Sequence, residues 1–295
     1  MPFSRELSSL PLTLSQQKCL SEKGFLMVND INNCDSVELN IVELTKAPAT
    51  KTAFQLFEEE KKMREIYSFL ENLDDLLKGV LRPGLVTEFV GLPGSGRTQL
   101  SLHLSISAQI IEYSLSAETI YICTNMDFSV SRLREIIHNY RNKCIHFKDF
   151  NEDDIMKNVN FINIMSIKEL LECLEYLNEF MKNKSNVSLV IIDSITYPLR
   201  FCEKSEKTSY ISSIVTQLRY LGELYNFAVL LTNDMTTIVG PNGSEVVPSL
   251  RDTFYHIINN RILLSQKNNN FQAEILKCST KFPTKCSFKF LDDLT

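Results

Sequence analysis

The chain has few of the features that mark metal-binding, disulfide-stabilised or membrane-embedded proteins. Its eight cysteines include no Cys-x-x-Cys pair, and its four histidines are scattered. Reduced, structural thiols are therefore a better interpretation than a zinc site or disulfides. No apolar run approaches the roughly 18 residues that a transmembrane helix needs, and the first residues, MPFSRE, lack the apolar region of a signal peptide. We therefore expect the chain in the nucleus or the cytoplasm, without a membrane partner.

An excess of positive charge is also missing. The 31 Lys and Arg residues are outnumbered by 36 Asp and Glu, which gives a net charge of -5 and an isoelectric point near 5.5. This balance argues against a protein that coats nucleic acid through charge alone, so any DNA contact must come from a local patch. A length of 295 residues allows one large α/β domain and a small appendage.

The first 48 residues are typical of a small helical N-terminal domain. One helix is predicted over residues 15–23, where Gly24 ends it, and a second over residues 35–44. Residues 49–66 are assigned to a linker and the charged helix that follows it. The core then occupies residues 67–295.

In the core, predicted strands alternate with helix-length segments. The strands are predicted at residues 86–90, 119–124, 161–165, 187–193 and 227–232. The nearly continuous apolar run VSLVII at 187–192 is typical of a strand covered on both faces. Ser166 and Glu169 form a capping box before an apolar stripe that we assign to the core. The pattern predicts an α/β fold with a mainly parallel sheet flanked by helices, and such sheets bind ligands beyond the carboxyl ends of their strands.

The segment GLPGSGRT at residues 91–98 matches a phosphate-binding P-loop at seven of eight positions. It follows a predicted strand and opens a helix-competent segment, which is the context that such a loop requires. Glycines allow backbone N–H groups to close around phosphate oxygens, and the helix N-terminus adds positive potential. The predicted nucleotide-binding residues are Gly91, Gly94, Ser95, Gly96, Arg97, Thr98 and Gln99.

Two positions set the expected chemistry of this loop. The hydroxyl of Thr98 is placed to reach Mg²⁺, whereas Arg97 stands where lysine is usual. A planar guanidinium does not place its charge as a compact ammonium does, so catalytic competence is in question. Asp193 ends the apolar strand at 187–193, where P-loop proteins hold Mg²⁺ directly or through water. Thr98 and Asp193 therefore form the predicted metal site; the alternative for Asp193 is a carboxylate that caps a turn.

Three motifs, in order along the chain, resemble the core of the RecA-like eukaryotic recombinases. They are TEFVGLPGSGRTQL at 87–100, LVIIDS at 189–194 and LLTNDMTT at 230–237. The Thr-Gln at 98–99 and the Thr-Asn at 232–233 separate this group from kinases and GTPases. Within the family, residues 52–60, 73–77 and 232–237 are most similar to the paralogue subgroup lettered C. The resemblance covers nearly the whole chain, weakly before residue 45.

The family implies a RecA-like P-loop core, homologous-recombination repair of DNA breaks, ATP bound at a subunit interface, and hetero-oligomers of recombinase paralogues. His256 matches a histidine that faces nucleotide across the subunit boundary; the alternative is a packed helix residue. Asn125 stands at the position of the glutamate that positions the attacking water, and loss of a general base costs about 10²- to 10⁴-fold in rate. If the alignment is shifted at this position, Asp127 instead of Asn125 would correspond to that glutamate. Asp234 replaces a glutamine that senses the γ-phosphate.

The segments that match the family's DNA-binding loops are poor in cations. Residues 200–207 hold three cations and two anions, and residues 237–249 hold no Lys or Arg. Stacking aromatics interleaved with cations are not expected there, and solvated mobile loops are the alternative to DNA contact. In the family, a linker Phe three residues before an Ala promotes filament assembly. Here the Ala is Ala53 but the Phe position is Thr50, so long filaments are not expected.

These observations predict an ATP- and Mg²⁺-binding mediator or assembly subunit in recombination repair, mitotic or meiotic. It would be a degenerate DNA-dependent ATPase of the RecA type with weak or absent hydrolysis. Its expected partners are other recombinase paralogues and DNA, bound weakly by the chain alone and single-stranded or branched. A DNA-stimulated ATPase active in strand exchange and a P-loop phosphotransferase remain the alternatives.

Overall fold

The computed structural model describes residues 6–7, 10, 12, 14–31, 50–112, 114–183, 186–240, 243–267 and 270–291. Its helices are α1 (Leu14–Glu22), α2 (Val28–Ile31), α3 (Ala53–Lys61), α4 (Leu73–Leu77), α5 (Arg97–Ser107), α6 (Val130–Lys143), α7 (Glu152–Lys157), α8 (Ile167–Asn183), α9 (Thr196–Leu199), α10 (Lys204–Tyr225) and α11 (Asp252–Ile257). Its strands are β1 (Val86–Gly91), β2 (Ile110–Ile111), β3 (Ser114–Leu115), β4 (Glu118–Cys123), β5 (Val159–Asn163), β6 (Val187–Asp193), β7 (Ala228–Gly240), β8 (Gly243–Pro248), β9 (Asn260–Lys267), β10 (Asn270–Lys277) and β11 (Lys285–Phe288). Within these ranges, no helix is long and apolar enough to cross a membrane.

A mainly parallel sheet lies at the centre of the fold. Its strand order is β11-β10-β9-β1-β7-β6-β4-β5, and β8 pairs with the end of β7. The six strands from β9 to β5 in that order run parallel, whereas β10, β11 and β8 pair antiparallel with their neighbours. The predicted α/β fold is therefore confirmed. Because β1, β7, β6 and β4 are adjacent, their carboxyl ends bring the P-loop and Asp193 to one edge.

Apolar side chains cover both faces of the sheet. Phe89, Tyr121 and Ile191 belong to the core beneath α5 and α6, while Val190 and Ile192 belong to the core beneath α8 and α10. The strand residues thus alternate between two buried layers. This double coverage explains why β6 is apolar at nearly every position.

The predicted cap and apolar stripe of α8 are present. The Ser166 hydroxyl accepts a hydrogen bond from the Glu169 backbone N–H at 3.2 Å, and the Glu169 carboxylate accepts one from the Met165 N–H at 2.9 Å. Leu170, Leu174, Leu177 and Met181 are buried. The assignment of this stripe to the core is confirmed.

The N-terminal part of the chain is described only in pieces. Helix α1 lies within one residue of its predicted bounds, and Gly24 follows it with φ of 82°. A small apolar cluster there comprises Leu7, Leu10, Leu12, Leu20, Val28 and Ile31. The second predicted helix, 35–44, and residue 49 of the linker lie outside the described residues. The division into domains at residues 48 and 66 stays a prediction.

Two segments differ from the loops expected of them. Lys204, Ser205, Glu206 and Lys207 form the first turn of α10, so the connection after α9 is only four residues long. The second segment continues β7 and returns as β8, with Met235 paired to Pro248 and Val239 to Ser244. These residues form an antiparallel hairpin because their N–H and C=O groups pair with one another instead of with water.

Candidate phosphate-binding site

The loop between β1 and α5 requires its glycines. Gly94 and Gly96 have φ of 80° and 90°, which is the left-handed region that other residues adopt only with strain. A Cβ atom at Gly91 would lie 2.3 Å from the Ser95 hydroxyl and 2.5 Å from the Leu264 carbonyl oxygen. The backbone path of the loop thus depends on all three glycines.

The start of α5 fits an anionic ligand. The first N–H groups of a helix have no intrahelical acceptor, and Gly96 provides no side-chain cap for them. Ser95 is 4% exposed, and its hydroxyl has no hydrogen-bond partner among the described residues. Thr98 and Gln99 follow in the first helical turn, which contains no acidic residue. Phosphate oxygens would satisfy these donors, so the loop is suited to the phosphate chain of a nucleotide.

The Arg97 side chain contacts the end of β7. Its Nη1 donates to Asp234 Oδ1 at 2.7 Å and to the Asn233 carbonyl oxygen at 2.8 Å. Gly91 is the register partner of Asp234 in the β1–β7 pair, so the loop and this carboxylate are neighbours across two strands. The two residues that depart from the family pattern in this region form an ion pair with each other.

Asp234 has two further donors on its other oxygen. Oδ2 accepts a hydrogen bond from the Thr196 hydroxyl at 2.8 Å and one from Arg200 Nη2 at 3.0 Å. Burial alone would raise the pKa of Asp234, but the hydrogen bonds from Arg97, Thr196 and Arg200 outweigh it and lower that pKa below its usual value. The carboxylate is therefore charged at neutral pH and shared between two guanidinium groups.

The predicted metal residue Asp193 is fixed by two neighbouring strands. Its Oδ2 accepts a hydrogen bond from the buried Tyr121 hydroxyl at 2.7 Å, and its Oδ1 accepts one from the Thr232 hydroxyl. Among the described residues, no cluster of three His, Cys, Asp or Glu side chains could enclose a metal ion. Mg²⁺ commonly binds through few protein oxygens, water and substrate phosphates, so Thr98 and Asp193 suit a metal that arrives with the nucleotide.

Asn125 lies two residues beyond the end of β4. Its Nδ2 donates to Asp127 Oδ2 at 2.6 Å, and its Oδ1 accepts from the Asp127 N–H at 3.3 Å. Thr124, the preceding residue, bonds instead to Ser194 after β6, with its hydroxyl donating to the Ser194 carbonyl at 2.7 Å. The amide and the exposed Asp127 carboxylate form a local pair at the carboxyl edge of the sheet.

His256 is exposed on α11, and its ring lies 6.0 Å from that of Tyr255. It is not a packed helix residue, and its position on the surface is compatible with a role at a subunit boundary.

Sequence reasoning missed Thr196, Arg200 and Tyr121 as neighbours of the site. Thr196 and Arg200 lie three and seven residues beyond Asp193, but no motif marks them because their contacts depend on how β6 and β7 pair.

Comparisons with known proteins agree with this architecture. A family model described as Rad51 matches residues 60–265. The DNA repair protein RAD51 homolog 3 of Cricetulus griseus is 26% identical over 97% of this chain and 90% of its own length. Its counterpart in Dictyostelium discoideum is 27% identical over 72% of this chain and 60% of its own length. The DNA repair and recombination protein RadA of Aeropyrum pernix is 28% identical over 63% of this chain and 57% of its own length. Because the family model covers more than half of the sequence and its fold and P-loop are present, the chain belongs to the Rad51 family.

Proposed function

We propose that this chain binds ATP with Mg²⁺ and serves as a mediator or assembly subunit in homologous-recombination repair in the nucleus, with weak or absent hydrolysis. One observation carries the proposal. The backbone of the P-loop and the Thr98 and Asp193 oxygens suit Mg²⁺-ATP, whereas the position of the expected carboxylate holds Asn125, whose amide is bonded to Asp127. The names of two relatives, RAD51 homolog 3, support a role in DNA repair.

Each site residue has a distinct part in this proposal. The N–H groups of Gly94 and Gly96 would hold phosphate oxygens. The Ser95 N–H already donates to the Leu92 carbonyl at 3.0 Å, so Ser95 would contribute its unpaired hydroxyl. Thr98 and Asp193 would hold Mg²⁺. When bound, ATP supplies a phosphoanhydride that water can attack only slowly without a base, and an amide at Asn125 cannot accept the proton. The site therefore favours long occupancy over rapid turnover.

A need for other chains is supported by the surface of α3. None of its residues is buried, and the rings of Phe54 and Phe57 are 71% and 51% exposed. The helix is nevertheless well formed, since the Thr52 hydroxyl and the Gln55 side chain make a reciprocal capping box. Exposed aromatic residues on a stable helix are typical of a surface that binds another protein. We assign this surface to a recombinase-paralogue partner, and His256 to a nucleotide site shared with one.

DNA contact by the isolated chain has limited support. The hairpin of β7 and β8 presents no Lys or Arg, and Arg200 is engaged by Asp234. Phe201 is 82% exposed next to Arg200, so one aromatic ring is available for stacking on a base. One ring beside a shared cation supports weak binding that a partner must strengthen.

Substitution of Thr98 tests the nucleotide site. Thr98→Val removes a Mg²⁺ ligand while keeping the size of the side chain, so affinity for a fluorescent ATP analogue should fall in the presence of Mg²⁺ and change little in EDTA. Thr208→Val makes the same change at an exposed position of α10 and should leave affinity unchanged. If Thr98→Val bound the Mg²⁺ complex as well as the unaltered chain, the site would be misassigned.

A further inference from the structure

The position of Asp234 is fixed by the backbone as well as by its side chain. Its carbonyl oxygen accepts a hydrogen bond from the Ser249 N–H at 2.8 Å, where the hairpin rejoins the core. Its α carbon pairs with Gly91 at the start of the P-loop. Because both the backbone and the side chain of Asp234 are held, its carboxylate cannot move away from the loop without losing hydrogen bonds.

The contacts of Arg97 show what this carboxylate does. Nη1 has two N–H groups, and its two acceptors are both supplied by consecutive residues of β7, the Asn233 carbonyl and the Asp234 carboxylate. The Arg97 side chain is only 12% exposed, so the ion pair is shielded from water. The cation of a P-loop normally reaches the β- and γ-phosphates. Here a carboxylate of the same chain already neutralises that cation.

We infer that Asp234 is a specificity-determining residue of the phosphate site, because its carboxylate competes with the terminal phosphate of a nucleoside triphosphate for the Arg97 guanidinium. The inference rests on the proposed nucleotide site and adds a control of affinity to it. Arg200 has the opposite effect. Its side chain is 58% exposed and binds the other oxygen of Asp234, which weakens the ion pair between Asp234 and Arg97.

The competition acts unequally on ATP and ADP. A terminal phosphate that approaches Arg97 also approaches the negative charge of Asp234, and repulsion between two such charges at a few Å is worth about one to two powers of ten in affinity. ADP lacks the γ-phosphate and is repelled less. The chain should therefore discriminate poorly between ATP and ADP, and loss of the Asp234 charge should restore a preference for ATP.

The test compares the affinities of Mg²⁺-ATP and Mg²⁺-ADP for four proteins by calorimetry. Asp234→Asn should bind ATP at least about tenfold more tightly than the unaltered chain, with a smaller gain for ADP. Asp154→Asn removes an equal charge from an exposed carboxylate of α7 that pairs with Lys157, and it should change neither affinity. Arg200→Gln should act in the opposite direction and weaken ATP binding, since Asp234 then has one cation fewer to share.

Thermal unfolding gives a second measure. Without nucleotide, Asp234→Asn should lower Tm, because a shielded guanidinium loses its charged partner. Saturating Mg²⁺-ATP should then raise Tm by more than in the unaltered chain, since stabilisation by a ligand grows with affinity.

The outcomes separate the inference from the proposed function. If the unaltered chain binds ATP and both Asp234→Asn and Arg200→Gln bind it equally well, the competition is refuted while the nucleotide site stands. If neither the unaltered chain nor Asp234→Asn binds any nucleotide, the proposed site and the inference both fail. Should Asp234→Asn not fold, a fall in affinity for Arg200→Gln supports the inference and an unchanged affinity overturns it.

Discussion

Restoring a carboxylate at position 125 should convert a slow site into a faster ATPase. A positioned general base typically accelerates a reaction by about 10²- to 10⁴-fold. We expect Asn125→Glu alone to give only part of this gain, because the Asn125 amide donates to Asp127 at 2.6 Å. A glutamate there would place a second negative charge beside the first.

The size of this interference follows from the exposure of Asp127. Two unit charges about 4 Å apart repel by about 1 kcal/mol in water and about 4 kcal/mol in a partly buried setting. Asp127 is exposed, so the lower figure applies, and it corresponds to about a fivefold loss. We therefore expect Asn125→Glu with Asp127→Asn to hydrolyse ATP about 100-fold faster than the unaltered chain. The rate of Asn125→Glu alone should be about fivefold lower than that of the double variant.

The assay is release of inorganic phosphate at saturating Mg²⁺-ATP. Asn125→Gln with Asp127→Asn is the matched control, since it has the same length and no carboxylate. Asp127→Asn alone tests the alternative in which Asp127 is the general base. If Asp127 is the base, this variant should abolish hydrolysis; if no residue of the chain acts as the base, it should change the rate little. Turnover by the unaltered chain at about 1 per second or faster, or equal rates for the glutamate and glutamine variants, would refute the reasoning.

Two further predictions concern DNA binding and the dependence of stability on pH. The purified chain should bind single-stranded DNA weakly, and its affinity should fall as the salt concentration rises. The affinity should increase when a recombinase-paralogue partner and ATP are present. Regular filaments of the isolated chain on DNA at physiological salt would contradict the assembly role. Burial, aided by the charge of Arg132, lowers the pKa of His103 to about 3, so the unfolded chain binds a proton below pH 6.5 that the folded chain does not. The chain should thus lose about 1.4 kcal/mol of unfolding free energy between pH 7.5 and pH 5.5 from this group, and urea titrations of His103→Gln should show a loss smaller by that amount; equal losses in both proteins would exclude this role.

The P-loop and β6 could be predicted because their signals are local. Residues 91–98 carry a fixed spacing of glycines between a strand and a helix, and a strand covered on both faces is apolar at nearly every position. The hairpin of β7 and β8 was missed because its strands satisfy each other beyond the edge of the main sheet. Resemblance to the family suggested DNA-binding loops there, and a short segment such as Ser244 to Val247, in which polar and apolar residues do not alternate, is a weak strand signal on its own.

The Arg97–Asp234 pair lay beyond sequence reasoning for a different reason. The two residues are 137 positions apart. Both departures were assigned to the phosphate site, but no motif indicated that the two side chains contact each other. Only the pairing of β1 with β7, which sets Gly91 against Asp234, makes them neighbours. Two substitutions that would each disturb a phosphate site are here mutually compensating, since Asp234 supplies the acceptor that keeps a partly buried guanidinium paired.

Under the proposed function, binding and turnover would be controlled from different strands of this site. Asp234 and Arg97 meet between β7 and the P-loop, and would act on the charge that a terminal phosphate encounters. Asn125 and Asp127 follow β4, which is separated from β7 by β6, and would act on the water that attacks. Because the two pairs share no described contact, changes in affinity and in rate should combine almost independently. A subunit of this kind can hold nucleotide as a ligand that joins chains without needing to hydrolyse it, since a ligand bound only by the assembled state stabilises that state by mass action.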